Sequence, residues 1–309
     1  MSQVSNLKKA VEARIDVKRI GWALGAEVRG VDISKPLSEE QIRAIRDALL
    51  EHKVLLFRDC PMTPEEQIRF TKFFGPLPEM PFNKRWMHPE FTNEVYFITN
   101  KPRADGSLPE TTNTGRVWHF DQNFMPEPAM GRVLHCVEAP EIGGTTMFAN
   151  QELAYEMLTP AFKRIVDGLR VVYDIVNSDN SRMPNRKPLT EEERKAVPTG
   201  YHPCVRTHPE TGRRTLFFNK TNLQHFEGMT REESAGIIEF LHQHTTQPTV
   251  TFRHSWRPGD TLFWDNRCAT HYAPPDYDTG DLTNPKNWRT MHGTTIAGDK
   301  PVLLPQAVQ

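Results

Sequence analysis

The chain has 309 residues and carries 38 lysines and arginines against 39 aspartates and glutamates, so its formal net charge at pH 7 is −1. Nucleic-acid-binding proteins usually carry a basic surplus that neutralises phosphates, and no segment of this chain supplies one. The apolar runs are far shorter than the ~20 residues of a membrane-spanning helix, and residues 1–14 show no secretory signal. We therefore expect a cytoplasmic protein whose partner is a small molecule, neither nucleic acid nor a membrane.

The chain shows no internal repeat and no flexible linker, which predicts a single domain spanning residues 1–309. Its 25 prolines exceed the roughly one residue in twenty of an average protein and indicate many turns and loops. The cysteines form no CxxC pair, so we expect them to be reduced and mostly buried, without disulfides or a zinc ribbon. They are Cys60, Cys136, Cys204 and Cys268.

Four helices are predicted by capping residues that precede apolar side chains at helical spacing. Each begins at a serine or threonine, whose hydroxyl can accept from the backbone N–H groups left without partners in a first turn. The start signals are Ser38 with Gln41, Thr63 with Pro64 and Glu66, Thr159 with Pro160, and Thr230 with Glu233. The first helix should end near His52 and the second at Gly75.

Short strands are predicted before, between and after these helices. Residues 17–33 mix apolar residues with three glycines, which is typical of short strands joined by tight turns. Further strands are predicted at 95–99, 117–124, 131–137, 145–149, 250–256, 261–265 and 289–297. Helices at the front and strands behind favour an α+β fold, built on a β-sandwich or jelly roll with flanking helices.

Residues 174–200 differ from the rest of the chain. They are polar and charged and contain three prolines, which predicts a long mobile loop. Loops of that length in a compact domain are often lids over an active site. We expect this segment to cover the site.

A histidine and an aspartate two residues apart suggest a metal site. His119 and Asp121 lie in a predicted strand, where alternate side chains share one face, so both should point into the same space. His271 is the candidate third ligand. Two histidines and one carboxylate leave several metal positions open, which suits a non-haem Fe(II) oxygenase.

Chance and ordinary packing explain part of this pattern equally well. The HxD spacing is common, and most of the 12 histidines should be solvated or hydrogen-bonded in ordinary ways. Arg289 heads an apolar strand, where its guanidinium would be costly unless it met a carboxylate such as that of an oxo-acid co-substrate. A surface arginine at the start of a strand accounts for Arg289 as well.

Several further motifs occur together along nearly the whole chain. They are Trp118-His119-Phe120-Asp121, residues 143–150 (GGTTMFAN), 205–209 (VRTHP), 256–260 (WRPGD), 263–267 (FWDNR) and 295–301 (TIAGDKP), with a looser match at 25–30. In this order and at these intervals, the chain resembles the TauD/TfdA (taurine dioxygenase) family of Fe(II)- and 2-oxoglutarate-dependent dioxygenases. The resemblance implies a double-stranded β-helix core and assembly into a homodimer or homotetramer.

The resemblance also implies a role for individual residues. His119, Asp121 and His271 match the iron ligands, and Thr146 and Arg289 match the residues that hold the far carboxylate of 2-oxoglutarate. Trp264 matches an aromatic residue near the iron, for which packing alone is an equal explanation, and 265–266 should form the turn that presents His271. The implied reaction uses O2 and 2-oxoglutarate to hydroxylate a C–H bond, releasing succinate and carbon dioxide. The aspartate argues against a halogenase, in which a small residue replaces the carboxylate.

One position departs from the taurine branch of the family. There a second arginine, four residues after the 2-oxoglutarate arginine, binds the substrate sulfonate, but this chain has Gly293. We therefore expect a substrate other than taurine, larger or less anionic. The alternative is that another cation reaches the same place from a loop, the candidates being Lys84, Arg85, Arg116 and Arg182.

A second class of function also accounts for the three candidate ligands. A cupin-like zinc hydrolase, isomerase or sensor could use the same two histidines and one aspartate. It would leave Arg289 and Thr146 without a task.

Overall fold

The computed structural model describes residues 15–78, 87–88, 91, 94–176 and 189–305. Within these ranges the chain forms fifteen strands, six α-helices and three short 3₁₀ helices. In chain order, the strands are β1 Asp16–Arg19, β2 Ala26–Arg29, β3 Val54–Phe57, β4 Tyr96–Thr99, β5 Gly131–Glu138, β6 Thr146–Asn150, β7 Arg170–Tyr173, β8 Gly200–Pro203, β9 Val205–Thr207, β10 Arg214–Leu216, β11 Leu223–Phe226, β12 Thr251–His254, β13 Thr261–Asp265, β14 Ala269–Tyr272 and β15 Thr290–Ile296.

The helices begin where their capping residues predict. They are α1 Glu39–His52, α2 Pro64–Lys72, α3 Gln151–Glu156, α4 Pro160–Asp167, α5 Glu191–Ala196 and α6 Arg231–Thr245. The hydroxyls of Ser38, Thr63 and Thr230 accept from the third backbone N–H of α1, α2 and α6, and each capping box is complete. Thr159 caps α4 in the same way, so all four predicted helices are confirmed. No helix in the described part of the chain is both long and apolar enough to cross a membrane.

One large sheet and three smaller ones give a mixed fold of helices and strands. The seven strands of the large sheet run in the order β1-β2-β3-β13-β5-β15-β4. The smaller sheets are β12-β6-β14, β11-β7-β8 and β10-β9. Strands far apart in sequence are neighbours here, because β13 pairs with both β3 and β5.

The large sheet is covered on both faces. On one face, Phe70 and Phe74 of the α2 region pack against Phe263 of β13, Phe70 edge-on and Phe74 tilted. On the other face, Trp264 of β13 meets Phe148 of β6 with ring centroids 5.4 Å apart. Neighbouring residues 263 and 264 of one buried strand therefore serve two different hydrophobic layers. All four cysteines are buried and free of disulfides, as predicted.

Two predictions of local structure were wrong. Residues 117–124 do not form a strand, because only His119 makes a bridge, to His271, and residues 121–124 turn away with Gln122 at φ 59°. The segment 174–200 is not all loop, since Thr190 caps α5 within it and β8 begins at Gly200. Residues 177–188 of that segment lie outside the described residues.

Buried histidines should make the fold sensitive to acid. Burial lowers the pKa of His135 and of His202 to about 4, below the ~6.5 of an unfolded histidine. Above pH 6.5 both states are neutral, and below it the unfolded chain takes up protons that the folded chain excludes. At about 1.4 kcal/mol per pKa unit, each histidine should lower the free energy of unfolding by up to roughly 3 kcal/mol between pH 6.5 and pH 4.

Urea denaturation of the metal-free protein at a series of pH values checks this prediction. The free energy of unfolding should fall from pH 6.5 to pH 4, and His202→Gln should flatten the curve. A free energy that is equal at pH 7 and pH 5 would show that these side chains are not kept neutral by the fold.

Candidate functional site

His119, Asp121 and His271 converge at one point of the structure. One ligand atom from each residue can be chosen so that all three lie within 4.8 Å of one another. The Nε2 atom of His119 is 3.9 Å from Asp121 Oδ1, and Nε2 of His271 is 3.7 Å from Asp121 Oδ2. Asp121 and His271 are buried, whereas His119 is partly exposed. The cluster is therefore reachable from one side.

Backbone pairing and one asparagine bring these residues together. His271 lies in β14, and its N–H and C=O exchange hydrogen bonds of 3.0 Å with those of His119. Asn266, in the turn between β13 and β14, accepts from the Asp121 N–H at 2.8 Å and donates to the Asp121 carbonyl at 3.1 Å. Residues 265–266 thus form the predicted turn ahead of His271, and Asn266 also holds the chain that carries Asp121.

The protonation states suit metal binding. The Nδ1 of His119 is 2.7 Å from the carbonyl of Val117, which can only accept, so the proton lies on Nδ1 and Nε2 is free. Burial lowers the pKa of His271 to about 3, so its imidazole is neutral at pH 7. Burial alone would raise the pKa of Asp121, but nearby groups, of which the Arg132 guanidinium contributes most, hold that pKa below its usual range.

The cluster offers a donor set that fits Fe(II). Two neutral imidazoles and one carboxylate are the ligands of mononuclear non-haem iron sites. The Oδ2 atom of Asp121 is buried and accepts no hydrogen bond within the described part of the chain. A buried anionic oxygen without a partner is costly, and a divalent cation would remove that cost.

A second cluster of His208, Asp265 and Cys268 is an ion-pair network instead. Arg267 donates to both oxygens of Asp265, at 2.8 and 2.6 Å, and His208 lies 3.0 Å from Oδ2. Burial raises the pKa of the Cys268 thiol well above its ordinary value, so the thiol stays protonated. These contacts stabilise the turn between β13 and β14, next to the first cluster.

Arg289 and Thr146 lie side by side near the metal cluster. Arg289 Nη2 is 3.4 Å from the hydroxyl of Thr146, and its Nε donates to the carbonyl of Gly144 at 3.0 Å. Thr146 and Phe148 share a face of β6, and Phe148 pairs across the sheet with His271. The arginine and threonine therefore lie along the same sheet face as His271.

No carboxylate of the described residues lies within 4 Å of the guanidinium of Arg289, and Asp276 acts on it only from farther away. Arg289 is 8% exposed, and burial lowers its pKa from the ordinary value. A buried cation that meets no carboxylate is costly, so this position is suited to an anionic group of a ligand. Nε1 of Trp256 donates to the Thr146 hydroxyl at 2.9 Å, which fixes that oxygen beside the guanidinium.

Trp264 packs directly on the metal cluster. Its ring centroid lies 4.7 Å from that of His271, and the side chain is 1% exposed. The aromatic residue expected near the site is thus present, in a packing role that limits movement of the histidine.

An arginine that sequence reasoning missed lies beside Asp121. Nη1 of Arg132 donates to Asp121 Oδ1 at 2.9 Å, and a Cβ atom on Gly293 would lie 2.9 Å from Nη2 of the same arginine. Arg132 of β5 therefore places a positive charge next to position 293, where the chain itself has a glycine. The only signal in the sequence was a charged residue within an otherwise apolar predicted strand.

Of the four loop cations named as alternatives to position 293, the structure describes only Arg116. Arg116 lies over the ring of Tyr277 at 5.9 Å and lines a small cavity with Arg289. Lys84, Arg85 and Arg182 lie outside the described residues.

An open groove lies beside the residues that neighbour His119 and His271 in sequence. It has a volume of about 850 Å³, and its walls include Val117, Trp118 and Tyr272. The opposite wall comes from residues 220–224 and from α6. The three candidate ligands themselves are not among its lining residues.

Comparisons with known proteins agree with this geometry. The family model "Taurine catabolism dioxygenase TauD, TfdA family" matches residues 16–295. An alpha-ketoglutarate-dependent sulfate ester dioxygenase of Pseudomonas putida is 31% identical, over 93% of this chain and 91% of its own length. An (S)-phenoxypropionate/alpha-ketoglutarate-dioxygenase of Sphingobium herbicidovorans is 32% identical, over 92% and 95%. The crystal structure of a taurine dioxygenase from Burkholderia xenovorans superposes with a TM-score of 0.74 at 33% identity, covering 93% of this chain and 92% of the other.

Proposed function

The chain belongs to the TauD/TfdA family and is a 2-oxoglutarate (alpha-ketoglutarate)-dependent dioxygenase, and from this premise we propose that it hydroxylates a C–H bond of a small organic substrate with Fe(II) and O2. The observation that carries the proposal is the cluster of two imidazoles and one carboxylate on the same sheet face as the buried guanidinium of Arg289. A zinc hydrolase, isomerase or sensor would need no such cation. Family membership argues against it as well.

We assign the metal to His119, Asp121 and His271. When bound, Fe(II) supplies the oxidative decarboxylation of 2-oxoglutarate by O2, which yields succinate, carbon dioxide and the oxidant for the C–H bond. The protein's part is to hold the ligands ready. The carbonyl of Val117 keeps the His119 proton on Nδ1, Trp264 packs on His271, and Asn266 anchors the backbone of Asp121.

We assign the far carboxylate of 2-oxoglutarate to Arg289 and Thr146. The guanidinium is held by the carbonyl of Gly144, which leaves its remaining N–H groups for an anion. The Thr146 oxygen already accepts from Trp256 and lies within reach of Arg289, so its own O–H proton is free to donate to a carboxylate. This pair orients the co-substrate along the sheet towards the metal.

We propose that the sheets form a double-stranded β-helix, or jelly roll, and that residues 1–309 are one domain. The support is the packing of the β12-β6-β14 sheet against the large sheet through Phe148 and Trp264. That the segment 174–200 is a lid stays a prediction from the sequence, because residues 177–188 lie outside the described residues. Assembly into a homodimer or homotetramer stays a prediction from the sequence, as does a cytoplasmic location.

We expect taurine to be a poor substrate. Gly293 supplies no guanidinium. The guanidinium of Arg132 lies in that space, but it already donates a hydrogen bond to Asp121. A sulfonate bound there would compete with Asp121 for the arginine. The named activities of two relatives, on sulfate esters and on phenoxypropionate, also concern substrates other than taurine.

Incubation with taurine, 2-oxoglutarate, Fe(II) and O2 checks this prediction. Succinate formation should stay at its rate without a primary substrate, and sulfite should not appear. Rapid succinate formation with sulfite release would show that the substrate assignment is wrong.

A substrate screen tests the proposed function itself. Candidate organic acids, sulfate esters and neutral analogues are tested for stimulation of succinate formation, and each hit is analysed by mass spectrometry under ¹⁸O2. One labelled oxygen atom should enter succinate and one the product. A product formed without labelled oxygen, at a rate independent of 2-oxoglutarate, would contradict the proposal.

A further inference from the structure

The side chain of Arg132 lies between an iron-ligand candidate and a glycine on the neighbouring strand. Arg132 belongs to β5 and pairs across the sheet with Thr295 of β15. Its side chain is 11% exposed, and its guanidinium lies 4.5 Å above the ring of Tyr96. Nη1 donates to Asp121 Oδ1 at 2.9 Å, while Nε is buried and donates to no described residue.

Gly293 leaves the space that this guanidinium occupies. A Cβ atom at position 293 would lie 2.9 Å from Nη2 and 3.1 Å from Nε of Arg132. Gly293 does not have a positive φ, so the backbone does not require a glycine there. Glycine within a strand is destabilising and often marks a close approach by another group. Here that group is the arginine.

Asp121 needs such a partner because no strand holds it. Its backbone is tied to Asn266, but it lies in a turn that follows the His119 bridge. Without Arg132 the carboxylate could rotate and present either oxygen. With Arg132 in place, Oδ1 accepts its hydrogen bond. Oδ2 is buried, accepts no hydrogen bond from any described residue, and remains available to bind the metal.

We propose that Arg132 is a positioning residue for the metal site: it holds Oδ1 of Asp121 so that Oδ2 is presented to the metal. Gly293 then leaves space for the guanidinium and is not a substrate-binding position. The proposal rests on the proposed function only in taking Asp121 as a metal ligand. Partners that hydrogen-bond to metal ligands set ligand orientation, and their loss typically lowers metal affinity about 10- to 100-fold.

Metal binding by arginine variants tests the proposal. Anaerobic Mn(II) titrations, followed by electron paramagnetic resonance, are made on the wild type, Arg132→Ala and Arg132→Lys. The alanine variant should bind Mn(II) about 10- to 100-fold more weakly, and lysine, which can still donate to Oδ1, should recover part of the loss. Arg214→Ala is the matched control, because it removes a partly buried arginine from Asp167, away from the site, and should leave the affinity unchanged.

A glycine variant tests the same idea without removing the arginine. Gly293→Ala should displace the guanidinium and weaken Mn(II) binding, by less than Arg132→Ala does. Gly236→Ala in α6 is its control, since a Cβ there meets no atom within 4 Å, and it should bind Mn(II) like the wild type. Circular dichroism of the metal-free proteins checks that each is folded. If Arg132→Ala does not fold, the Mn(II) affinity of Gly293→Ala decides whether Arg132 positions Asp121.

The outcomes separate this inference from the proposed function. If folded Arg132→Ala and Gly293→Ala bind Mn(II) as tightly as the wild type, Arg132 does not position the ligand, and the metal site itself still stands. If the wild type binds neither Mn(II) nor Fe(II), the proposed function fails and the inference fails with it.

Discussion

Replacing His271 with alanine is expected to abolish metal binding and dioxygenase activity. The change leaves one imidazole and one carboxylate, so the metal loses one of the three protein ligands that converge at the site. The loss of affinity should exceed the roughly 100-fold caused by losing a group that only hydrogen-bonds to a ligand. Mn(II) titration and 2-oxoglutarate-dependent succinate formation, measured on the same preparation, check both parts.

A histidine away from the cluster provides the control. His225→Ala removes a partly buried imidazole from β11 and should leave Mn(II) binding and succinate formation close to wild type. The far-ultraviolet circular dichroism of His271→Ala should match the wild type without metal. If the folded His271→Ala protein kept wild-type metal affinity, the assignment of the iron ligands would be wrong.

Replacing Arg289 with methionine is expected to remove 2-oxoglutarate binding while metal binding remains. Methionine keeps much of the side-chain length but has no charge to meet the far carboxylate. Truncating one partner of a buried, hydrogen-bonded charge pair costs about 2 to 5 kcal/mol, which corresponds to a roughly 30- to 5,000-fold weaker affinity. Thr146→Val removes a neutral donor and should have a smaller effect in the same direction.

The two affinities must be measured separately. Mn(II) titration reports the metal site, and titration of the Fe(II) protein with 2-oxoglutarate without O2 reports the co-substrate site. Arg103→Met, which changes an exposed arginine outside the site, is the control for a lost positive charge. If the Arg289→Met protein had unchanged 2-oxoglutarate affinity, Arg289 would not be a residue that binds the co-substrate.

The parts of the site that sequence reasoning located have strong local patterns. His119 and Asp121 are two residues apart, and the turn-forming residues Asp265 and Asn266 predict a turn ahead of His271. The structure brings the three candidate ligands together even though the predicted strand at 117–124 is absent. The ligands are positioned instead by the backbone bridge between His119 and His271 and by the hydrogen bond from the Asp121 N–H to Asn266.

The parts that sequence reasoning missed depend on contacts between distant segments. The pairing of Arg132 with Asp121 beside Gly293 requires the register of β5 against β15, which no local pattern reports. Strands such as β8 Gly200–Pro203 are short and contain a proline, so their sequence does not alternate clearly. α5 was overlooked because a charged segment of six residues has no apolar face, although its capping box is complete.

The most direct test of the central claim is an anaerobic titration of the purified protein with Fe(II) and 2-oxoglutarate, followed by visible absorption. We expect a weak charge-transfer band that needs both components. The band should be absent from His271→Ala and from Arg289→Met at the concentration that saturates the wild type. A folded wild-type protein that gives no band at saturating Fe(II) and 2-oxoglutarate would contradict the claim.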